Sequence, residues 1–171
     1  MSHAVAVDFR IEQRIPGSID DVARAYTDPG LYATLGGLPK IGKPEVLARE
    51  EDGDTVRLRI RFRFVADLPS AATAVLDPKK LTWVEESTHD LAGHAVAWRL
   101  VPDNYGHRFR ANGSSVYRSD GEVTVRQTKG DLVVKTPFVG RLVERALVSG
   151  MKEHLDAEAP RVAAWVAAHE T

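Results

Sequence analysis

Two side chains in this sequence have the type and setting for proton chemistry. Glu85 stands two residues after Trp83 in LTWVEESTHD, and His154 stands beside Met151 and Leu155 in GMKEHL. Alternate residues of a strand share a face. If Trp83 points inward, Glu85 does too, and Glu86 faces water. A carboxyl held among apolar groups keeps its proton to higher pH and can serve as a general base or a ligand anchor. The other reading puts Glu85 near the strand end, where the face is already wet. An imidazole titrates near neutrality and suits acid–base work. His154 would do that work if it faces the interior, and would be a bystander if it sits at the edge of a helix face.

The remaining candidates are weaker. His89 and His94 flank one turn and read as solvated turn residues. No two histidines have zinc-ligand spacing, there is no HExxH, and the absence of cysteine removes thiolate sites and disulfides. No metal or cofactor is expected. GLPKIGK, residues 37–43, has the Gly-x4-Gly-Lys spacing of a phosphate loop. Pro44 stands where Ser or Thr would reach magnesium, and Pro39 and Pro44 lack the N–H groups such a loop donates. A flexible loop at a cavity mouth is the simpler expectation.

These residues need elements to hold them. Val5, Val7, Phe9 and Ile11 alternate with Ala6, Asp8 and Arg10, as in a half-buried strand. Pro16-Gly17 ends it, and Ser18 caps a short helix whose first turn is acidic. A second short helix is predicted near 31–35. Period-two segments follow near 45–50, 55–65, 81–88, 94–101, 108–118 and 122–135, with 71–77 extending or bending a neighbour. Asp52-Gly53 and Asp120-Gly121 suit two-residue hairpin turns. Helical spacing then runs from about Phe138 to His169, with Pro160 expected to kink it. The fold class is α+β: a curved seven-stranded antiparallel sheet wrapped around a long C-terminal helix, with two short helices after the first strand. Residues 1–171 read as one domain.

VRLRIRFRF, residues 56–64, alternates apolar side chains with Arg57, Arg59, Arg61 and Arg63. Its apolar side belongs to the core and its arginines to a wet outer face, with Glu50, Glu86 and Thr88 as cross-strand neighbours. A net charge of -1 lacks the basic balance of a nucleic-acid binder. The N-terminus has no signal-peptide pattern, and no apolar run could span a bilayer. A cytoplasmic protein with no membrane span is expected.

RIPGSIDDVARAYTDPGLYATL resembles the opening of the START-like, or helix-grip, superfamily, which includes polyketide cyclases. LTWVEESTHD, RANGSSVYRSDGEVTV and KTPFVGRLVERALVSGMKEHL resemble an uncharacterised, mainly bacterial branch of it. The resemblance covers nearly the whole chain. It implies a cavity under the long helix that takes a hydrophobic small molecule or lipid, in a carrier or sensor. It brings no catalytic motif. The side chains expected to line that cavity are Tyr26, Tyr32, Leu35, Ile60, Phe62, Phe64, Trp83, Trp98, Tyr117, Leu147 and Met151. The alternatives are a cyclase- or hydrolase-type enzyme using Glu85 or His154, and a surface-binding module using the arginine stripe. The sequence leaves the oligomeric state open.

Overall fold

The computed structural model describes residues 6–170, so Val5 of the first predicted strand and His3 lie outside the described residues. The order is β1 (Val7–Pro16), α1 (Ile19–Ala25), α2 (Pro29–Ala33), β2 (Glu45–Asp52), β3 (Thr55–Arg63), α3 (Ser70–Thr73), a 3-10 turn (Pro78–Lys80), β4 (Thr82–Asp90), β5 (Ala95–Pro102), β6 (Phe109–Asp120), β7 (Val123–Val134) and α4 (Gly140–Ala168). The strands form one antiparallel sheet in the order β1-β7-β6-β5-β4-β3-β2. Strands 2 to 7 are the predicted meander, and β1 adds to its far edge beside β7. Helix α4 packs on β1, β7 and α1. No described helix is long and apolar enough to cross a membrane.

Local chemistry explains the joints. Ser18 Oγ accepts the Asp21 N–H at 3.1 Å and starts α1. Asp28 caps α2 in the same way, accepting from Gly30 N at 2.8 Å, with Pro29 at its first position. Two-residue turns close β2–β3 and β6–β7, and each begins with a glycine at positive φ, Gly53 at 59° and Gly121 at 64°. Pro160 lies inside α4 without ending it.

Two expectations fail. Residues 71–77 are not strand. Leu68, Ala72 and Leu76 are buried at intervals of four, which is a helical period, and α3 forms there after Pro69. The loop GLPKIGK is pinned, not free. Val65 N donates to Lys40 O at 2.8 Å, Gly42 N donates to Arg63 O at 2.9 Å, and buried Ile41 bridges Phe64.

The β3 stripe divides by face. Val56, Leu58, Ile60 and Phe64 are buried, while Arg57, Arg59 and Arg63 are exposed. Glu50 and Thr88 lie across from Arg57, and Glu86 across from Arg59. The ion pairs go elsewhere. Glu86 pairs with Arg99 at 3.1 Å, and Arg61 grips Asp103 through two hydrogen bonds of 3.1 and 3.2 Å.

Candidate functional site: a cavity with a polar end

Between the sheet and α4 lies a cavity of about 150 Å³. Phe62 comes to it from β3, Phe64 from just past the end of β3, Trp83 from β4, Trp98 and Leu100 from β5, and Leu147, Met151 and Leu155 from α4. The two bulky pairs stack, Phe62 on Trp83 at 6.3 Å between ring centroids and Phe9 on Trp98 at 6.0 Å. Tyr26 and Tyr32 reach the cavity from the short-helix end.

Trp98 fits because two neighbouring strands lack side chains beneath it. Ser87, Trp98, Gly113, Gly130 and Phe9 form one row across β4, β5, β6, β7 and β1. A Cβ on Gly113 would lie 2.6 Å from Trp98 Cζ2, and one on Gly130 would lie 2.7 Å from the same atom. The indole occupies the space that side chains at those positions would fill. Gly150 of α4 gives a third close approach, with Phe64 Cε2 2.9 Å from where its Cβ would be.

Arg126, His154 and Glu158 make the inner end of the cavity polar. Gln13 on β1 and Tyr117 on β6 are the cross-strand partners of Arg126 on β7 and hold it from outside the lining. Arg126 Nη1 donates to Gln13 Oε1 at 2.9 Å, and Nε approaches the Tyr117 hydroxyl at 3.4 Å. The guanidinium lies 4.1 Å from the Tyr26 ring centroid. Glu158 of α4 closes the group. Its Oε1 accepts from the Tyr26 hydroxyl at 2.6 Å and from Gln13 Nε2 at 3.3 Å, while Oε2 lies 3.5 Å from His154 Nε2. Gln13 Nε2 also donates to Leu155 O at 2.8 Å, which ties β1 to α4. Next to this group, Ser115 and Thr128 hydroxyls pair at 2.8 Å.

The charges follow from these contacts. Burial by itself raises the Glu158 carboxyl, but the hydrogen bond from His154, the charge of Arg126 and the Tyr26 hydroxyl outweigh it and hold the group below its usual range. Burial alone would lower Arg126, yet Tyr117, Tyr26 and Glu158 together keep it above its ordinary value. Burial pushes the Tyr26 and Tyr32 hydroxyls well up, so both stay protonated donors. Glu85 lines the same cavity, and no side chain or backbone group among the described residues hydrogen-bonds its carboxyl. Burial and the nearby Glu158 push it up to about 7, against a lowering by Arg126.

Glu85 is thus on the Trp83 side, as parity requires, and His154 is only 2% exposed. Leu35, Ile60 and Tyr117 do not line the cavity. All three lie in the core packed around α1, α2 and the far end of α4, where their side chains are covered by neighbours. His89 is not solvated. It sits on the inner face of β4 at 4% exposure, bonded to Ser87 Oγ at 3.0 Å, and burial with Arg126 nearby lowers it to about 4. His94 does stand at the turn, 2.9 Å from Asp20. Among the described residues no three His, Asp or Glu side chains converge as a metal-holding group.

Gln13, Arg126 and Glu158 escape a reading of the sequence. For two of them a signal exists: Gln13 falls between Ile11 and Ile15 at period two, and Glu158 is four residues after His154. Arg126 is hidden by its neighbours. Val125 reads as the inward residue, yet it lies on the outer face between Arg14 and Arg118 of the adjoining strands. It is buried there all the same.

A model of the family described as "Protein of unknown function (DUF2505)" matches residues 10–166. No curated protein matches the chain significantly. The fold is that of several solved structures. TTHA0849 from Thermus thermophilus is 23% identical with a TM-score of 0.69, over 96% of this chain and 100% of that one. The Zhui aromatase/cyclase from Streptomyces sp. R1128 is 17% identical with a TM-score of 0.62, over 96% and 94%. Norcoclaurine synthase from Thalictrum flavum, in complex with dopamine and hydroxybenzaldehyde, is 18% identical with a TM-score of 0.64, over 98% and 90%. At these identities the likeness shows the helix-grip fold.

Proposed function

Because this chain belongs to the DUF2505 family, whose function is unknown, its role rests on its own residues, and we propose that it binds a small, largely apolar molecule between the sheet and α4 as a carrier or sensor. The observation that carries this reading is the cavity itself, aromatic and aliphatic along its length and polar at one end. Such a lining suits a ligand with an apolar body and few polar atoms. A space of about 150 Å³ is the size of a cavity that holds one benzene-sized ring. That favours a single-ring compound over a long-chain lipid. The complex of norcoclaurine synthase with two ring compounds supports a small-molecule occupant in this fold. Native mass spectrometry of protein purified from its own host should retain a bound organic molecule of that size. Failure to detect or load any compound across lipid and aromatic libraries would sink the reading.

A second reading has its own observation. The Glu85 carboxyl, without a hydrogen-bond partner among the described residues and poised at about 7, is set up to exchange a proton with a bound molecule. In that case Glu85→Gln abolishes turnover and leaves binding intact. Unchanged turnover in Glu85→Gln would dismiss it.

A further inference from the structure

His154 and Trp98 line the cavity, and among the described residues the buried atoms His154 Nδ1 and Trp98 Nε1 have no hydrogen-bond partner. Their side chains are 2% and 7% exposed. Folded proteins pair nearly all such atoms, and these two have opposite chemistry. An indole N–H can only donate. The imidazole is oriented by its neighbour. Its Nε2 faces Glu158 Oε2 at 3.5 Å, longer than an ideal hydrogen bond but facing a group that can only accept. Glu158 is itself fixed, since Tyr26 and Gln13 occupy its other oxygen. In the uncharged ring the proton therefore belongs on Nε2, which leaves a bare lone pair at Nδ1.

We propose that the cavity selects a small ring compound carrying a hydroxyl, whose O–H donates to His154 Nδ1, with a ligand oxygen accepting from Trp98 Nε1–H. This rests on the reading that the cavity takes a small ligand, and it names the ligand's chemistry. The ring lies along the aromatic walls, and the oxygen supplies what the two atoms lack. Glu158 acts as the positioning residue that fixes the imidazole tautomer. An apolar ring without oxygen would leave both atoms unpaired, so the site discriminates by what such a ligand omits.

Three ring probes separate the contributions. Phenol can donate and accept, anisole can only accept, and toluene can do neither. Titration calorimetry on the full chain should rank them phenol, anisole, toluene, with phenol about tenfold or more above anisole. In His154→Phe the gap between phenol and anisole closes while that between anisole and toluene remains. In Trp98→Phe the anisole–toluene gap closes. In the wild-type protein the Trp98 indole N–H resonance and the His154 Nδ1 nitrogen resonance should both shift with phenol, and Nδ1 should be unprotonated before ligand is added. Equal affinity for phenol and anisole, or a proton already on Nδ1, overturns the proposal. Toluene binding without hydroxyl preference would leave the cavity reading standing and remove only this inference. Binding of none of the three, with no resonance shift, removes both.

Discussion

Arg126 lies 4.1 Å from the ring centroid of Tyr26, whose hydroxyl donates to Glu158 at 2.6 Å. One tyrosine thus stands between a buried cation and a buried carboxylate and touches both. The arrangement holds three elements together, because Tyr26 follows α1, Arg126 is on β7 and Glu158 is on α4. Removing one charge leaves the other without compensation in a medium that solvates it poorly. Arg126→Met should lower stability by about 3–5 kcal/mol in urea unfolding. Adding Glu158→Gln to that variant should recover part of the loss. A single-variant loss under about 1 kcal/mol would show that the group is not a coupled unit.

Glu85 should make stability fall as pH rises. Its folded pKa of about 7 is above the ordinary 4.5, so between those values the folded protein holds more protons than the unfolded chain. Its contribution is complete below pH 4.5 and is lost by the time the pH passes 7. Glu85→Gln should abolish this fall and be the more stable protein at pH 8. Unfolding curves collected from pH 4 to 8 on both proteins test it; parallel profiles would contradict the assignment.

His89 works in the opposite direction. Its folded value of about 4 lies below the ordinary 6.5, so the unfolded chain binds more protons between them. The stability it contributes is present above 6.5 and is lost as pH falls through 4. His89→Gln should flatten the acid limb of the profile while leaving the limb governed by Glu85 in place. An unchanged acid limb would mean that His89 titrates normally.

The slot beneath Trp98 should not accept a methyl group. At Gly130 a Cβ would meet Asn112 O at 2.6 Å as well as the indole, so a backbone has to move along with a side chain. Gly130→Ala should cost about 1–3 kcal/mol and displace Trp98, which a shifted indole N–H resonance would report. A variant of wild-type stability with an unmoved Trp98 resonance would refute the tight fit.

Phe138 is fully exposed and holds φ at 68°, just before α4. A side chain with a Cβ is strained there, and asparagine tolerates that region better. Phe138→Asn should raise stability by about 1 kcal/mol and leave ring-probe binding unchanged. A loss of stability would mean that the aromatic ring has a function in this position.

The fold is readable because its signals are local. Strand parity in VRLRIRFRF, glycines at two hairpin turns, and Ser18 ahead of α1 each act over a few residues. Parity also places Glu85 and Trp83 on one face. The site is only partly readable, because its polar members satisfy each other across long separations. Arg126 is tolerable inside only because Gln13, Tyr117 and Tyr26 receive it, and nothing within TVRQT announces those partners. Leu35, Ile60 and Tyr117 show the converse, since they lie outside the cavity lining. They are as buried as cavity residues, but apolar character does not tell a filled core from an unfilled one.

The pairing of Gln13 with Glu158 joins residues 145 positions apart. During synthesis at roughly 5–20 residues per second, β1 waits between about 7 and 30 s before its helix partner has been made. Through that interval Gln13 has no Glu158, Arg126 has no counter-charge once it emerges, and the apolar inner face of the meander lacks its cover. The nascent chain therefore carries a half-built, sticky sheet on the ribosome. Closure by α4 ends that exposed stage and completes the polar end of the cavity.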